Sequence, residues 1–230
     1  MCLVLQFVLV MDTWEITTLI IGQVLLTLAT FSAIIALIVF AIRKPIRRHK
    51  PIDMMIFDKI TAGVNTMNNK IMLFITFLGK HQFLIPANLL LIFYFLLITK
   101  QNWFSIRVIT IAISSLVLML LLKQLFQRKR PLSPLLKAAK GLSFPSGHAI
   151  MAVTFYGLLI YILQHTIELD WLRWIVSGLL IVLILLIGFS RIYLRVHYAS
   201  DVLGGFIIGL LWLLISLAAL KWLEGYITSL

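Results

Sequence analysis

Three short stretches of this chain carry residues whose types and spacing could do chemistry. They are Lys123 with Arg130-Pro131, then Pro145-Ser146-Gly147-His148, then Ser190-Arg191 with His197 and Asp201. Together they hold three cations, two histidines and one carboxylate. Such a set suits cleavage of a phosphate without a metal. Cations can hold the phosphoryl oxygens and an imidazole can attack phosphorus.

Each stretch has its own physical reading. Lys123 and Arg130 are seven apart, two helical turns, so both can point the same way on a continuing helix. Lys123 lies deep in an apolar run, which favours a ligand-facing role over snorkelling. For Arg128, Lys129, Lys137 and Lys140 snorkelling to the interface is the simpler expectation. Pro145 halts the chain before a helix that Ser146 can cap, and Gly147 lets a ligand approach the backbone. Free N–H groups and the helix dipole then favour an anion, with His148 beside it. His197 and Asp201 are one turn apart, so the carboxylate can accept an imidazole N–H. That would fix the tautomer and leave the other nitrogen free as a nucleophile. Tyr193 and Tyr198 read as interface anchors, and Arg195 as a counter-charge to Asp201. His49, His81 and His165 have no comparable neighbours.

The elements that must position these residues are membrane helices. The 230 residues are 62% hydrophobic and 12% charged, with mean hydropathy +1.07. Apolar runs of about twenty residues, without strand-like alternation, read as helices crossing a bilayer. Six spans are expected, near residues 16–42, 83–99, 106–126, 146–164, 174–189 and 202–223. Residues 52–70 mix apolar positions with Asp53, Asp58 and Lys59, which suits an amphipathic helix in the interface better than a plain connector. The fold class is therefore all-α, a polytopic membrane helix bundle in one domain spanning 1–230. Gly205 and Gly209 read as a close helix contact. Residues 1–10 lack the basic start of a signal peptide, and a start at Met11 also fits. Cys2 is the single cysteine, so no disulfide framework or thiolate metal site is expected.

Counting spans brings the motifs together. The third span ends at Lys123–Arg130 and the fourth begins after Pro145, so both share one loop. The fourth crosses away and the fifth returns, which puts Ser190 to Asp201 on the same face. The formal charge of +12 sits between spans. It points to anionic headgroups or a phosphate substrate rather than nucleic acid.

These motifs resemble those of the type 2 phosphatidic acid phosphatase family, whose superfamily includes the vanadium haloperoxidases. The family signature is Lys-x6-Arg-Pro, Pro-Ser-Gly-His and Ser-Arg-x5-His-x3-Asp. It is met here at Lys123, Arg130-Pro131, Pro145 to His148, Ser190-Arg191, His197 and Asp201. The resemblance implies that His197 attacks phosphorus, Asp201 orients it, and His148 protonates the leaving oxygen and later activates water. It implies that Lys123, Arg130, Arg191, Ser146 and the Gly147 amide hold the phosphoryl oxygens. No cofactor and no metal are implied.

The expected partners are the bilayer and a lipid phosphate or pyrophosphate. Phosphatidic acid, phosphatidylglycerol phosphate, undecaprenyl pyrophosphate and lipid A phosphates all qualify. The resemblance places the site on the extracytoplasmic face of the cell membrane. Charge argues the other way: of the 20 Lys and Arg, only Lys100, Arg107, Arg173 and Lys221 fall on the opposite face. The rival readings are a lipid phosphotransferase using the same phosphohistidine, and a non-catalytic lipid-phosphate binding or transport protein. A haloperoxidase fits poorly with six spans.

Overall fold

A computed structural model describes residues 50–62, 66–131 and 141–229, with three isolated helical positions before them. The chain divides into two compact units, 1–43 and 44–230, and the continuous described segments belong to the second. Apart from those three isolated positions the expected first span, and with it the loop cations Lys137 and Lys140, lies outside the described residues.

Seven α-helices make up the described part: α1 Lys50–Ala62, α2 Thr66–Leu78, α3 His81–Phe93, α4 Asn102–Phe126, α5 Gly147–Thr166, α6 Asp170–Tyr193 and α7 Ala199–Thr228. A π-helical turn, Tyr94–Ile98, extends α3. Five of these elements are long and apolar enough to cross a membrane: α3 with its extension, α4, α5, α6 and α7. They match the second to sixth expected spans. Helices α3 and α5 keep close to the expected bounds, whereas α4, α6 and α7 run further, because polar residues continue the helix beyond the apolar stretch. Asp170 and Arg173, for example, pair with each other in the first turn of α6. The expected interfacial stretch proves to be two helices, α1 and α2, the second running on to Leu78.

Helix α5 is the hub, packing against α4, α6 and α7. The Gly205 and Gly209 expectation holds. A Cβ at Gly205 would lie 2.8 Å from the Ala149 Cβ and 2.9 Å from the Ser146 carbonyl oxygen, and one at Gly209 would lie 3.1 Å from the Ile150 carbonyl oxygen. Only glycine allows α7 this close to the start of α5. Beneath that contact Val108, Ile111, Leu158, Ile162 and Leu213 form a buried cluster joining α4, α5 and α7. Outward residues such as Leu97, Trp174 and Leu179 are more than 60% exposed, as a lipid-facing belt requires. Helices α1 and α2 send Ile60 and Met72 against Tyr193, Leu194 and Val196, the turn that carries His197.

Candidate active site

The three motifs meet at one end of the bundle. Lys123 stands in the last turn of α4, and its Nζ donates to the Leu142 carbonyl at 3.1 Å. The chain then leaves the helix through Gln127 in a left-handed conformation, φ 45°. That turn aims Arg130 inward. Its guanidinium donates to the Gly141 carbonyl at 3.3 Å and the Val196 carbonyl at 2.9 Å, and lies 3.4 Å from His197 Nε2. Thus the first and third motifs touch.

The second motif opens α5. Ser146 is the N-cap residue, but its side chain makes no cap hydrogen bond. Its Oγ is buried without a partner, while its N–H donates to the Asp201 carbonyl oxygen at 3.0 Å. A fully buried hydroxyl with no partner, at the N-terminus of a helix, is suited to an anion. His148 Nε2 is likewise buried and unpartnered. Its ring packs against Gly79, where an added Cβ would be 3.2 Å from His148 Cδ2. Arg191, His197, Lys80 and Lys123 all lie within electrostatic range of His148.

The third motif ends α6 and starts α7. Arg191 is 5% exposed; one terminal nitrogen donates to Thr76 Oγ1 of α2, and its Nε has no partner. His197, 1% exposed, hangs in the turn between the helices, its N–H held by the Arg191 carbonyl at 3.3 Å. Burial pushes the imidazole down to about 4; Asp201 pulls the other way, while Arg130 and Arg191 add to the fall. A neutral ring with Nε2 facing a guanidinium donor keeps its lone pair on Nε2. Burial also lowers Arg130 from its ordinary value, with Asp201 opposing.

Asp201 approaches His197 but does not close the expected hydrogen bond. Its Oδ2 stands 3.7 Å from His197 Nδ1, which has no other partner. The carboxylate is engaged elsewhere: by the Ser143 hydroxyl, by the Tyr198 N–H at 2.9 Å and by Arg128 at 2.6 Å. Arg128 therefore does not snorkel. Its side chain is 10% exposed, bridges Asp201 and Asp53, and lies 4.4 Å over the Tyr198 ring. The aromatic expectations change with it: Tyr198 stacks on that guanidinium, and Tyr193 is 5% exposed in the core. Asp53, Arg128, Ser143 and Thr76 thus support the site without belonging to a motif. Asp53 and Thr76 lie 75 and 115 residues from their arginine partners, so no local spacing announces them.

Lys123, Arg130 and Arg191 meet no carboxylate within ion-pairing distance among the described residues, whereas Arg128 meets two. Three cations, a buried hydroxyl and the start of α5 thus share the end of the bundle that carries His197, with Arg130 against its Nε2. Such an arrangement can bind a tetrahedral oxyanion and attack it.

Residues 104–224 match the PAP2 superfamily. Phosphatidylglycerophosphatase B of Bacillus subtilis strain 168 is 34% identical over 147 residues, 62% of this chain and 70% of that protein. Among solved structures, a transmembrane PAP2-type phosphatidylglycerolphosphate phosphatase from Bacillus subtilis aligns with TM-score 0.69 and 28% identity, covering 80% of this chain and 90% of that one. Aquifex aeolicus LpxE aligns with TM-score 0.54 and 28% identity, covering 72% and 94%. The helices, the meeting of the three motifs and the family match define the class: this chain belongs to the PAP2 superfamily and is a multi-pass membrane protein.

Proposed function

We propose that the protein is an integral membrane lipid phosphatase that hydrolyses a lipid phosphomonoester or pyrophosphate through a phosphohistidine, without a metal. The observation that carries the reading is the pairing of Arg130 with His197 Nε2 at 3.4 Å, across two motifs. A guanidinium there would hold a phosphoryl oxygen beside the lone pair that would attack phosphorus.

In this reading Lys123, Arg130, Arg191, Ser146 Oγ and the Gly147 N–H hold the phosphoryl oxygens. His197 Nε2 forms a bond to phosphorus as the bond to the leaving oxygen breaks, and His148 gives that oxygen a proton. Water then attacks the phosphohistidine, His148 takes its proton, and inorganic phosphate leaves. Asp201 offsets the positive charge that grows on His197. The cations do the charge stabilisation that a metal supplies elsewhere.

A lipid substrate is favoured by an apolar cleft of about 510 Å³ between α3, α4 and α5. Leu84, Leu89, Ile113, Met151 and Phe155 line it. Met151 is one turn along α5 from His148, so a tail in the cleft would leave its headgroup near the site. The names of the relatives make phosphatidylglycerol phosphate the first substrate to try, beside phosphatidic acid, undecaprenyl pyrophosphate and lipid A phosphates. We take residues 1–230 as one integral domain, with the site on the extracytoplasmic face of the cell membrane. Since α7 leads away from the site, a reporter fused after Leu230 would then be cytoplasmic; an extracytoplasmic reporter would reverse the orientation.

The test is phosphate release by purified protein in detergent with EDTA, on that panel, with His197→Ala alongside. Release that survives EDTA and is lost in the variant is the expected result. Release that needs a divalent metal, or persists without His197, would overturn the mechanism. Release that depends on an added acceptor would favour a phosphotransferase.

A further inference from the structure

Asp53 lies outside the three motifs and outside the spanning helices. Its neighbours Ile52, Met54 and Met55 on α1 are about half exposed, whereas Asp53 is 3% exposed. A buried carboxylate is unfavourable unless it is fully paired. Asp53 Oδ1 accepts from the Ser200 N–H at 3.0 Å, and Oδ2 accepts from Ser200 Oγ and from Arg128, each at 2.6 Å. The other terminal nitrogen of Arg128 donates to Asp201 Oδ1 at 2.6 Å and to Ser200 Oγ at 2.7 Å. A continuous chain, Asp53–Arg128–Asp201, therefore links α1 to the first turn of α7.

The charges along this chain matter to His197. An arginine paired with Asp201 alone would neutralise it and leave little negative potential for the imidazole. Shared between two carboxylates, the same arginine leaves the group with one net negative charge. Arg128 binds Oδ1, while Oδ2 is the oxygen nearest His197. We infer that Asp53 is a positioning residue for the reaction: by sharing Arg128 and holding Ser200, it keeps the cluster behind His197 net negative and Asp201 in place. The inference rests on the phosphohistidine reading.

Asp53→Asn tests it, because the amide oxygen can still accept from the Ser200 N–H while the charge is gone. The assay is phosphate release from phosphatidylglycerol phosphate in detergent micelles by full-length wild type, Asp53→Asn, Asp53→Glu and His197→Ala. The other charged groups around His197, namely Arg130, Arg191, Asp201 and His148, are the same in the two Asp53 variants. In Asp53→Asn, kcat should fall about tenfold with KM within about twofold, and the acid limb of kcat/KM should move about half a unit to lower pH. Asp53→Glu should restore the limb and most of kcat. A lower kcat with an unmoved limb and a lower melting temperature would mean that Asp53 only holds α1 in place, and would overturn the inference. Wild-type behaviour in Asp53→Asn would also overturn it. Phosphate release by His197→Ala, or none by wild type from any of the four candidate lipids, would instead sink the reading beneath it, whatever Asp53 does.

Discussion

Both ends of the helix bundle bury arginines, and they use them differently. At the end away from the site Arg107, 4% exposed, pairs with Glu224 and packs over the rings of Phe104 and Tyr161, at 5.4 and 5.6 Å. It joins α4 to α7 and its charge is matched. At the site end Arg128 is matched in the same way, by Asp53 and Asp201. Arg130, by contrast, donates to carbonyls and Arg191 to a hydroxyl. Those neutral partners leave the positive charge available. Burial alone therefore does not mark a functional cation; burial without an anion does, since such a charge persists only where a ligand is expected to complete it.

The comparison breaks first if His197 is dispensable. His197→Ala should lower phosphate release by a factor of about 10³ or more, because in the proposed mechanism it removes the attacking atom. Next comes Arg191→Gln, which keeps a donor but removes the unmatched charge. It should lower kcat/KM by about 10²–10³, measured on phosphatidylglycerol phosphate in micelles. A loss below about tenfold would mean that Arg191 only braces α2 through Thr76.

The pH profile sharpens the same contrast. Burial pushes His197 down to about 4, so it is neutral at ordinary pH, as the proposed attack requires. Protonation removes the lone pair, so kcat/KM should be level with respect to His197 above that value and fall about tenfold per unit below it. An acid limb near the ordinary 6.5 of an imidazole would show that His197 is not shielded as the structure places it, or that another base controls the rate.

Much of this was legible in the sequence because membrane helices and signature motifs announce themselves locally. An apolar run of span length has few alternative folds, and counting spans was enough to put Lys123, His148 and His197 on one face. What spacing could not reveal was the partner of each cation. Arg128 and Arg130 are two residues apart and look alike in a basic loop, yet one is closed by carboxylates and the other faces His197. The deciding residue, Asp53, sits on a helix that hydropathy reads only as amphipathic. The His197–Asp201 spacing gave proximity but not the contact itself, since Ser143, Tyr198 and Arg128 compete for the same carboxylate.

The smallest effect on activity is expected from the matched arginine at the far end. Glu224→Gln removes the anion beside Arg107 and leaves a buried guanidinium with weaker partners. Stability should fall by about 1–3 kcal/mol, read as a lower melting temperature in detergent. Phosphate release per folded molecule should stay within about twofold of wild type, because no site residue touches the pair. Arg107 would keep its two aromatic neighbours, which argues for the lower part of that range. If Glu224→Gln lowered kcat as Arg191→Gln does, without a change in melting temperature, the two ends would be coupled through α4 and α7. The separation into a matched structural arginine and an unmatched functional one would then fail.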